Sequence, residues 1–291
     1  GSEWDFSNDQ VTSDLDLFAK WSANDNTSYT VKHYQQNIYD NGYTLKETES
    51  LSGTTDTTAT ATAKVYEGFK APASLPFDNI AGDGTLVLEV YYERETYSVT
   101  FDSAGGSTVD PILGVRYEAK ISSPNTPTRA GYTHIGWYKD SSYANGSEWD
   151  FANDQVTSDF ELYAKWSANT YQITFDKQDG NGGSDGVIAT FASSMPTATA
   201  PSKTGYTFKG YFNQVSEGVQ YYDSYMDSVK NWDIANDVTL YAQWQAINYG
   251  ITYELGGGTN HGSNPSTYTI EDEKITLEDA SKVGYTFMGW Y

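Results

Sequence analysis

The tightest constraint on this chain is that it repeats itself. Residues 1–23 read GSEWDFSNDQVTSDLDLFAKWSA and residues 146–168 read GSEWDFANDQVTSDFELYAKWSA. They differ at four positions, Ser7/Ala152, Leu15/Phe160, Asp16/Glu161 and Phe18/Tyr163, and each exchange roughly keeps size or character. Gly1-Ser2 therefore belongs to the repeat and is not a cloning scar. A missed repeat would mis-assign the whole fold, so the repeats set the frame for everything else.

Three further strings recur in a fixed order. An opening string occurs as YSVTFD (97–102), YQITFD (171–176) and YGITYE (249–254). A central string occurs as GYTHIGWY (131–138), GYTFKGYF (205–212) and GYTFMGWY (284–291). A closing string occurs as LFAKW (17–21), LYAKW (162–166) and LYAQW (240–244). The opening strings start 74 and then 78 residues apart, which is the spacing of small domains and not of solenoid turns.

Each string reads as a strand. Tyr97, Val99 and Phe101 alternate with Ser98, Thr100 and Asp102, the period of a strand buried on one side. Leu162, Ala164 and Trp166 alternate likewise with Tyr163 and Lys165, and Ile135 and Trp137 are expected to share a face. Pro124, Pro127, Pro196 and Pro201 oppose a long helix between opening and central strings. The stretch WDFANDQVTSDFELYAKW has room for one short helical turn. Loop lengths vary around the fixed strings: Gly131 to Trp149 is 18 residues, whereas Gly205 to Trp232 is 27. Residues 27–95 form a different unit, with strands expected at SYTVKHYQQ, GYTLKETESLSGTT and TLVLEVYYE and a turn at Asp83-Gly84.

Composition narrows the function classes. With no cysteine there is no disulfide framework, thiolate zinc site or thiol nucleophile. The net charge of −22 repels phosphate backbones and argues against nucleic acid as a partner. That charge is spread evenly, −5, −5, −4, −4 and −4 over 1–26, 27–95, 96–169, 170–246 and 247–291, so no basic patch is hidden. No apolar run is long enough to cross a membrane. Residue 1 is not Met, so the chain is expected to be part of a longer protein.

The Y-x-[VI]-T-F-D, G-Y-T-F-x-G-W-Y and W-D-F…V-T-S-D…L-Y-A-K-W strings resemble the Listeria–Bacteroides repeat, the internalin-type B-repeat, over roughly three-quarters of the chain. Tyr211-Phe212 and His134 depart from its usual aromatics. Residues 27–95 resemble a mucin-binding-protein (MucBP) repeat through Y-T-V-K-H-Y, L-S-G-T, Y-E-G-F (66–69) and D-G-T-L…V-Y-Y. Both resemblances imply small β-grasp-like modules, strung in tandem on secreted or wall-attached bacterial surface proteins. Neither implies a catalytic residue.

Candidate chemistry is thin. Residues 182–186, GGSDG, satisfy G-x-S-x-G, yet Ser184 follows an opening strand and its sister unit has no such pattern, so a hairpin loop is expected. His33, His134 and His261 lie in separate units without metal-ligand spacing and are expected at the surface or rim. Asp176, Asp179 and Asp185 could meet calcium but fail the EF-hand spacing. Asp150, Asp154 and Asp159 suit paired-carboxylate chemistry, but they recur as Asp5, Asp9 and Asp14 and read as turn and solubility residues. Trp21, Trp166 and Trp244 end strands and are expected to plug small cores.

The resulting expectation is a mainly β (α+β) fold of tandem small β-grasp-like modules in an elongated array. Its parts are the C-terminal part of a B-repeat (1–26), a MucBP-like module (27–95), two B-repeats (96–169 and 170–246) and the N-terminal part of another (247–291). Four units of about 75 residues in line would reach on the order of 100 Å. The expected function is a non-catalytic stalk and contact surface of a bacterial adhesin, extracellular at the cell surface or wall. No catalytic, cofactor or metal residue is expected. Expected partners are a surface protein or glycan of a host or neighbouring cell. The alternative is a set of accessory modules of a large secreted polysaccharide-degrading enzyme. The two partial units together omit only the equivalent of 139–145, so the chain is expected to fray at both ends or to associate head-to-tail.

Overall fold

In a computed structural model describing residues 1–291, every regular element is a strand and no helix forms. The mainly β expectation holds without its α component. Where a helical turn had room, Asp150 instead accepts the Ala152 N–H at 2.8 Å and the Asn153 side-chain amide at 2.7 Å. Such side-chain-to-backbone bonds favour a turn over a helix. By internal contacts the chain divides into two compact units, 1–102 with 109–125 and 138–163, and 103–108 with 126–137 and 164–291.

The first unit holds β1 (Thr27–Gln36), β2 (Tyr43–Gly53), β3 (Thr58–Thr60), β4 (Phe69–Lys70), β5 (Phe77–Asn79) and β6 (Val87–Arg94). They form a sheet of order β2-β1-β6-β4 and a small β3-β5 pair. β1 and β6 run parallel, with Val31 opposite Leu88 and His33 opposite Val90. Alternation turns Val31, Leu88, Val90 and Tyr92 inward, where Ala59, Ala61 and Ile80 complete the core.

The next sheet has the order β8-β7-β10-β9, from β7 (Thr96–Asp102), β8 (Ile112–Arg116), β9 (Tyr132–Tyr138) and β10 (Phe160–Ala168). β7 and β10 are parallel, with Phe160 opposite Val99 and Leu162 opposite Phe101. The second unit holds β11 (Thr170–Asp176), β12 (Gly186–Thr190), β13 (Tyr206–Phe212), β14 (Gln220–Tyr222) and β15 (Val238–Ala246), in the order β12-β11-β15-β13-β14. Here too β11 and β15 are parallel, Phe175 facing Leu240, while the other edge of β15 pairs antiparallel with β13. β16 (Tyr249–Gly250) and β17 (Thr267–Tyr268) make a short pair.

One rule covers both B-repeat sheets. The closing string lies between the opening and central strings and holds both. Its tryptophan locks the arrangement. Trp166 and Trp244 donate their indole N–H groups to the carbonyls of Ser103 and Lys177 at 2.9 and 3.1 Å. The rings cover Gly106 and Gly180, where an added methyl would meet the indole at 2.5 and 2.7 Å. They also pack on His134 and Phe208, with centroids 5.3 and 5.2 Å apart.

Ile135 and Trp137 do not share a face: Ile135 is 50% exposed and Trp137 is buried. The sister strand β13 shows the same loss of alternation, with a register slip between Phe208 and Gly210 and Gly210 at φ 128°. A bulge there shifts the alternation by one residue. It brings Phe208 and Tyr211 inward together.

The twin strings behave oppositely. Leu162 and Ala164 are fully buried, whereas Leu17, Phe18 and Trp21 stand exposed and 1–26 contains no strand. The turn just before each string is the same: Asp5 caps Ser7 and Asn8 as Asp150 caps Ala152 and Asn153. The turn is encoded locally; the strand needs a neighbour. Trp166→Ala should therefore cost about 3 kcal/mol in urea unfolding. Trp21→Ala should stay within about 0.5 kcal/mol in a dilute sample.

Candidate functional site: the junctions between repeats

The repeats are joined almost without linkers. Glu95 alone separates β6 from β7, Asn169 alone separates β10 from β11, and Ile247-Asn248 separate β15 from β16. At each junction the linker N–H donates to a glycine carbonyl of the preceding repeat: Glu95 to Gly68 at 2.8 Å, Asn169 to Gly131 at 2.9 Å and Ile247 to Gly205 at 2.8 Å. The linker carbonyl in turn accepts an N–H from the following repeat, Tyr117 to Glu95 and Phe191 to Asn169, both at 2.9 Å.

The same glycines are sockets. Gly68, Gly131 and Gly205 have φ of 73°, 80° and 80°, a region that disfavours side chains. A Cβ at Gly68 would overlap the Tyr117 ring, one at Gly131 the Phe191 ring, and one at Gly205 would lie 2.7 Å from Ile270. Each incoming side chain belongs to the repeat that follows. Arg129 stacks on Tyr132 at 4.0 Å and Lys203 on Tyr206 at 4.7 Å, stiffening the residue beside each socket. At the first junction Arg94 donates to the Gln36 and Tyr117 carbonyls and pairs with Glu118 at 2.8 Å. Arg116 reaches the carbonyls of Asn37 and Ile38 and the side chain of Asn41. The Gly-Phe pair at 68–69 and the Gly-Tyr pairs at 131–132 and 205–206 signal turns in the sequence; their second use as sockets depends on a residue some 50–65 positions later and carries no local signal.

The first sheet adds a second surface. On the outer side of β1, β2 and β6, Tyr34 stacks on Tyr91 and Tyr43 meets Tyr91 edge-on, both with centroids 5.0 Å apart. Glu89 accepts both phenols, Tyr34 at 3.0 Å and Tyr91 at 2.7 Å. Bonding to this carboxylate, with some burial, pushes the Tyr91 phenol up to about 12. The cluster is half-exposed, aromatic and acidic.

The candidate chemical residues do not assemble. Ser184 pairs with Thr199 at 3.1 Å in a loop. Lys177 neutralises Asp185 at 2.6 Å, Lys203 lies 3.8 Å from Asp179, and Asp176 caps the Gln178 N–H. No group of three or more His, Asp or Glu is placed to hold a metal ion. Asp150 and Asp154 form the turn described above, and Asp159 braces β7 by accepting the Ser98 N–H at 2.6 Å, as Asp237 does for Gln172 at 2.8 Å.

The histidines are not all at the surface. His261 is exposed and His134 half-buried, but His33 is completely buried, in phase with Val31 on the inner face of β1. The alternation of SYTVKHY pointed there. Its ring bridges Tyr92 and Glu49, each at 3.0 Å. Lys64 N–H donates to the Tyr92 oxygen at 2.8 Å, and Lys64 Nζ meets Glu47 and Glu49, each at 2.9 Å. Tyr66 also donates to Glu47. The Tyr66 bond, with Lys64, holds the Glu47 carboxyl below its ordinary range; Lys64 and His33 do the same for Glu49. This is a satisfied polar network, anchored on buried His33 and reaching solvent through Glu47, Glu49 and Lys64.

Architecture and junctions together define a tandem array of small β modules. The sequence profile of the Listeria–Bacteroides repeat domain matches residues 97–165, 171–243 and 249–291. The chain belongs to that family. Among curated proteins, it is 30% identical over 295 residues to a putative Gly-rich membrane protein of Evansella cellulosilytica, covering 96% of this chain and 32% of that protein. A putative membrane protein of the same organism is 31% identical over 70% of this chain and 30% of its own length. Internalin H of Listeria monocytogenes is 35% identical over 52% of this chain and 25% of its own. The chain thus spans about a third or less of these relatives' length.

His134 occupies the position of Phe208, and burial lowers its pKa from the ordinary 6.5. The folded state prefers the neutral ring, so this contribution is intact above about 6.5 and is lost as pH falls below it. Its Nε2 is buried without a partner. His134→Phe should raise stability by about 1 kcal/mol. It should also flatten the pH dependence of urea unfolding below about 6.5.

Proposed function

We propose that this chain is a non-catalytic repeat region of a bacterial cell-surface adhesin, working as a stiff stalk that spaces and presents contact surfaces outside the cell. The observation that carries this reading is the recurring junction. A one- or two-residue linker, hydrogen-bonded on its N–H side and covered by a glycine socket, leaves little torsional freedom between neighbours. Flexible tethers use long Gly/Ser-rich linkers, and this chain uses none at its junctions. Similarity to Internalin H and to proteins named as membrane proteins supports a place at the cell surface. The even negative charge supports a soluble, self-avoiding array. The Tyr34–Tyr43–Tyr91 face with Glu89 is the surface best suited to a protein or glycan partner, because half-exposed tyrosines combine apolar area with a polar tip.

The absence of cysteine makes the test clean. Lys46→Cys and Ile188→Cys, both at exposed positions, allow two spin labels to be attached without background. Double electron–electron resonance should give one narrow distance distribution, and Phe191→Ala should broaden it. A broad distribution in the otherwise unaltered chain would contradict the stiff-stalk reading.

A further inference from the structure

The tyrosine face of the first sheet carries an arrangement that partner contact does not need. β1 and β6 run parallel and in register, with Tyr34 opposite Tyr91. Adjacent strands lie about 4.8 Å apart, so two outward rings at one register position come within stacking distance. The Tyr34 and Tyr91 rings do stack, 16° from parallel with centroids 5.0 Å apart. Their phenols end on the two oxygens of one carboxylate: Tyr34 donates to Glu89 Oε1 at 3.0 Å and Tyr91 to Oε2 at 2.7 Å. The two hydroxyls, and the ring carbons ortho to them, are thus held side by side. Tyr91 is 42% exposed and Tyr34 is half-buried, which leaves the pair open to small molecules from solvent.

The other tyrosine pairs lack one part of this arrangement. Tyr43 meets Tyr91 at 74°, Tyr66 meets Tyr92 at 87° and Tyr138 meets Tyr143 at 85°. Edge-to-face rings of this kind do not set their ortho carbons side by side. Tyr97 and Tyr117 are 6.5 Å apart and inclined at 62°. Tyr249 and Tyr268 come nearest, at 30° and 5.4 Å, but no shared carboxylate joins their phenols.

We propose that Tyr34 and Tyr91 form an oxidative cross-linking site, joined as dityrosine by an ortho–ortho carbon–carbon bond when a peroxidase and hydrogen peroxide act on the chain. Each phenol gives one electron to the oxidant and its O–H proton to Glu89, leaving two neutral phenoxyl radicals. The carboxylate passes the first proton to water before it takes the second. The radicals couple through their ortho carbons, and the two ortho hydrogens then move to the oxygens and restore both hydroxyls. In sum, two tyrosines and one hydrogen peroxide give one dityrosine and two waters. Glu89 matters because both phenols are un-ionised at neutral pH: bonding to its carboxylate pushes Tyr91 up to about 12 and Tyr34 above its ordinary 10. A neutral phenol loses an electron readily only when its proton leaves as well, and the carboxylate is already in place to accept it. No cysteine thiol is present to reduce the radicals. The new bond ties the opening strand of this module to its closing strand. A pull along the chain would then bypass residues 35–90, a consequence that rests on the stalk reading, whereas the bond itself does not.

Treating the dilute full chain with a peroxidase and hydrogen peroxide tests this, read by dityrosine fluorescence and by peptide mapping in the mass spectrometer. The expected product is a single chain of 32.2 kDa that has lost two hydrogens, with the peptides holding Tyr34 and Tyr91 joined. Tyr34→Phe and Tyr91→Phe should each abolish it. Glu89→Gln should slow it several-fold, and Tyr43→Phe should react as the parent does. Urea unfolding of each variant separates loss of the site from loss of the fold. No dityrosine within the single chain, a bond mapped to Tyr249 and Tyr268 instead, or a folded Glu89→Gln that reacts at the parent rate overturns the proposal.

Discussion

Everything in this fold depends on the parallel pairing between the strand that opens a module and the strand that closes it. β1 with β6, β7 with β10 and β11 with β15 make the same contact across three sheets. The partners are some 60 residues apart in sequence, so the contact is costly in loop closure. In the B-repeat sheets the closing strand also carries the central strand on its other edge, and its tryptophan reaches back to the loop after the opening strand. Without it the opening and central strings would keep only the neighbours on their outer edges. In 247–291, with no closing string among these residues, only Tyr249–Gly250 and Thr267–Tyr268 are strand.

What could be read from the sequence divides along the same line. Alternation located β7, β10, β11 and β15, because each has one buried face with period two. The Asp-rich turns were also legible, since Asp150 satisfies its own neighbours and does so identically at Asp5. The bulge at Gly210 was not, because alternation counts residues and a bulge inserts one; in the matching strand β9 alternation likewise misplaced Ile135, which stands outward. His33 was misplaced for the opposite reason: residue type suggested a rim position, while its phase with Val31 buried it in a bonded network. The candidate chemical residues were legible as structural ones, and the structure assigns most of them to turns and braces.

The junction was the part least visible in sequence, and it bears most directly on function. A glycine that begins a strand reads as a turn residue. Its use as a socket for Tyr117, Phe191 or Ile270 emerges only once the next module is folded beside it. The incoming residue varies while the socket does not, so the junction tolerates exchange of one bulky apolar group for another, as cores tolerate volume-conserving swaps. A short linker, bonded through its N–H at all three junctions and through its carbonyl as well at Glu95 and Asn169, then ties each module to the next.

The central claim is that the closing string becomes a strand through its neighbours and not through its own sequence. The near-identical segments 1–23 and 146–168 provide an internal control. Amide hydrogen exchange, resolved by residue in a dilute monomeric sample, should show Leu162–Trp166 strongly protected and Leu17–Trp21 exchanging at nearly the rate of an unstructured peptide. Equal protection of the two segments would mean that the string forms its strand unaided, and would contradict the account.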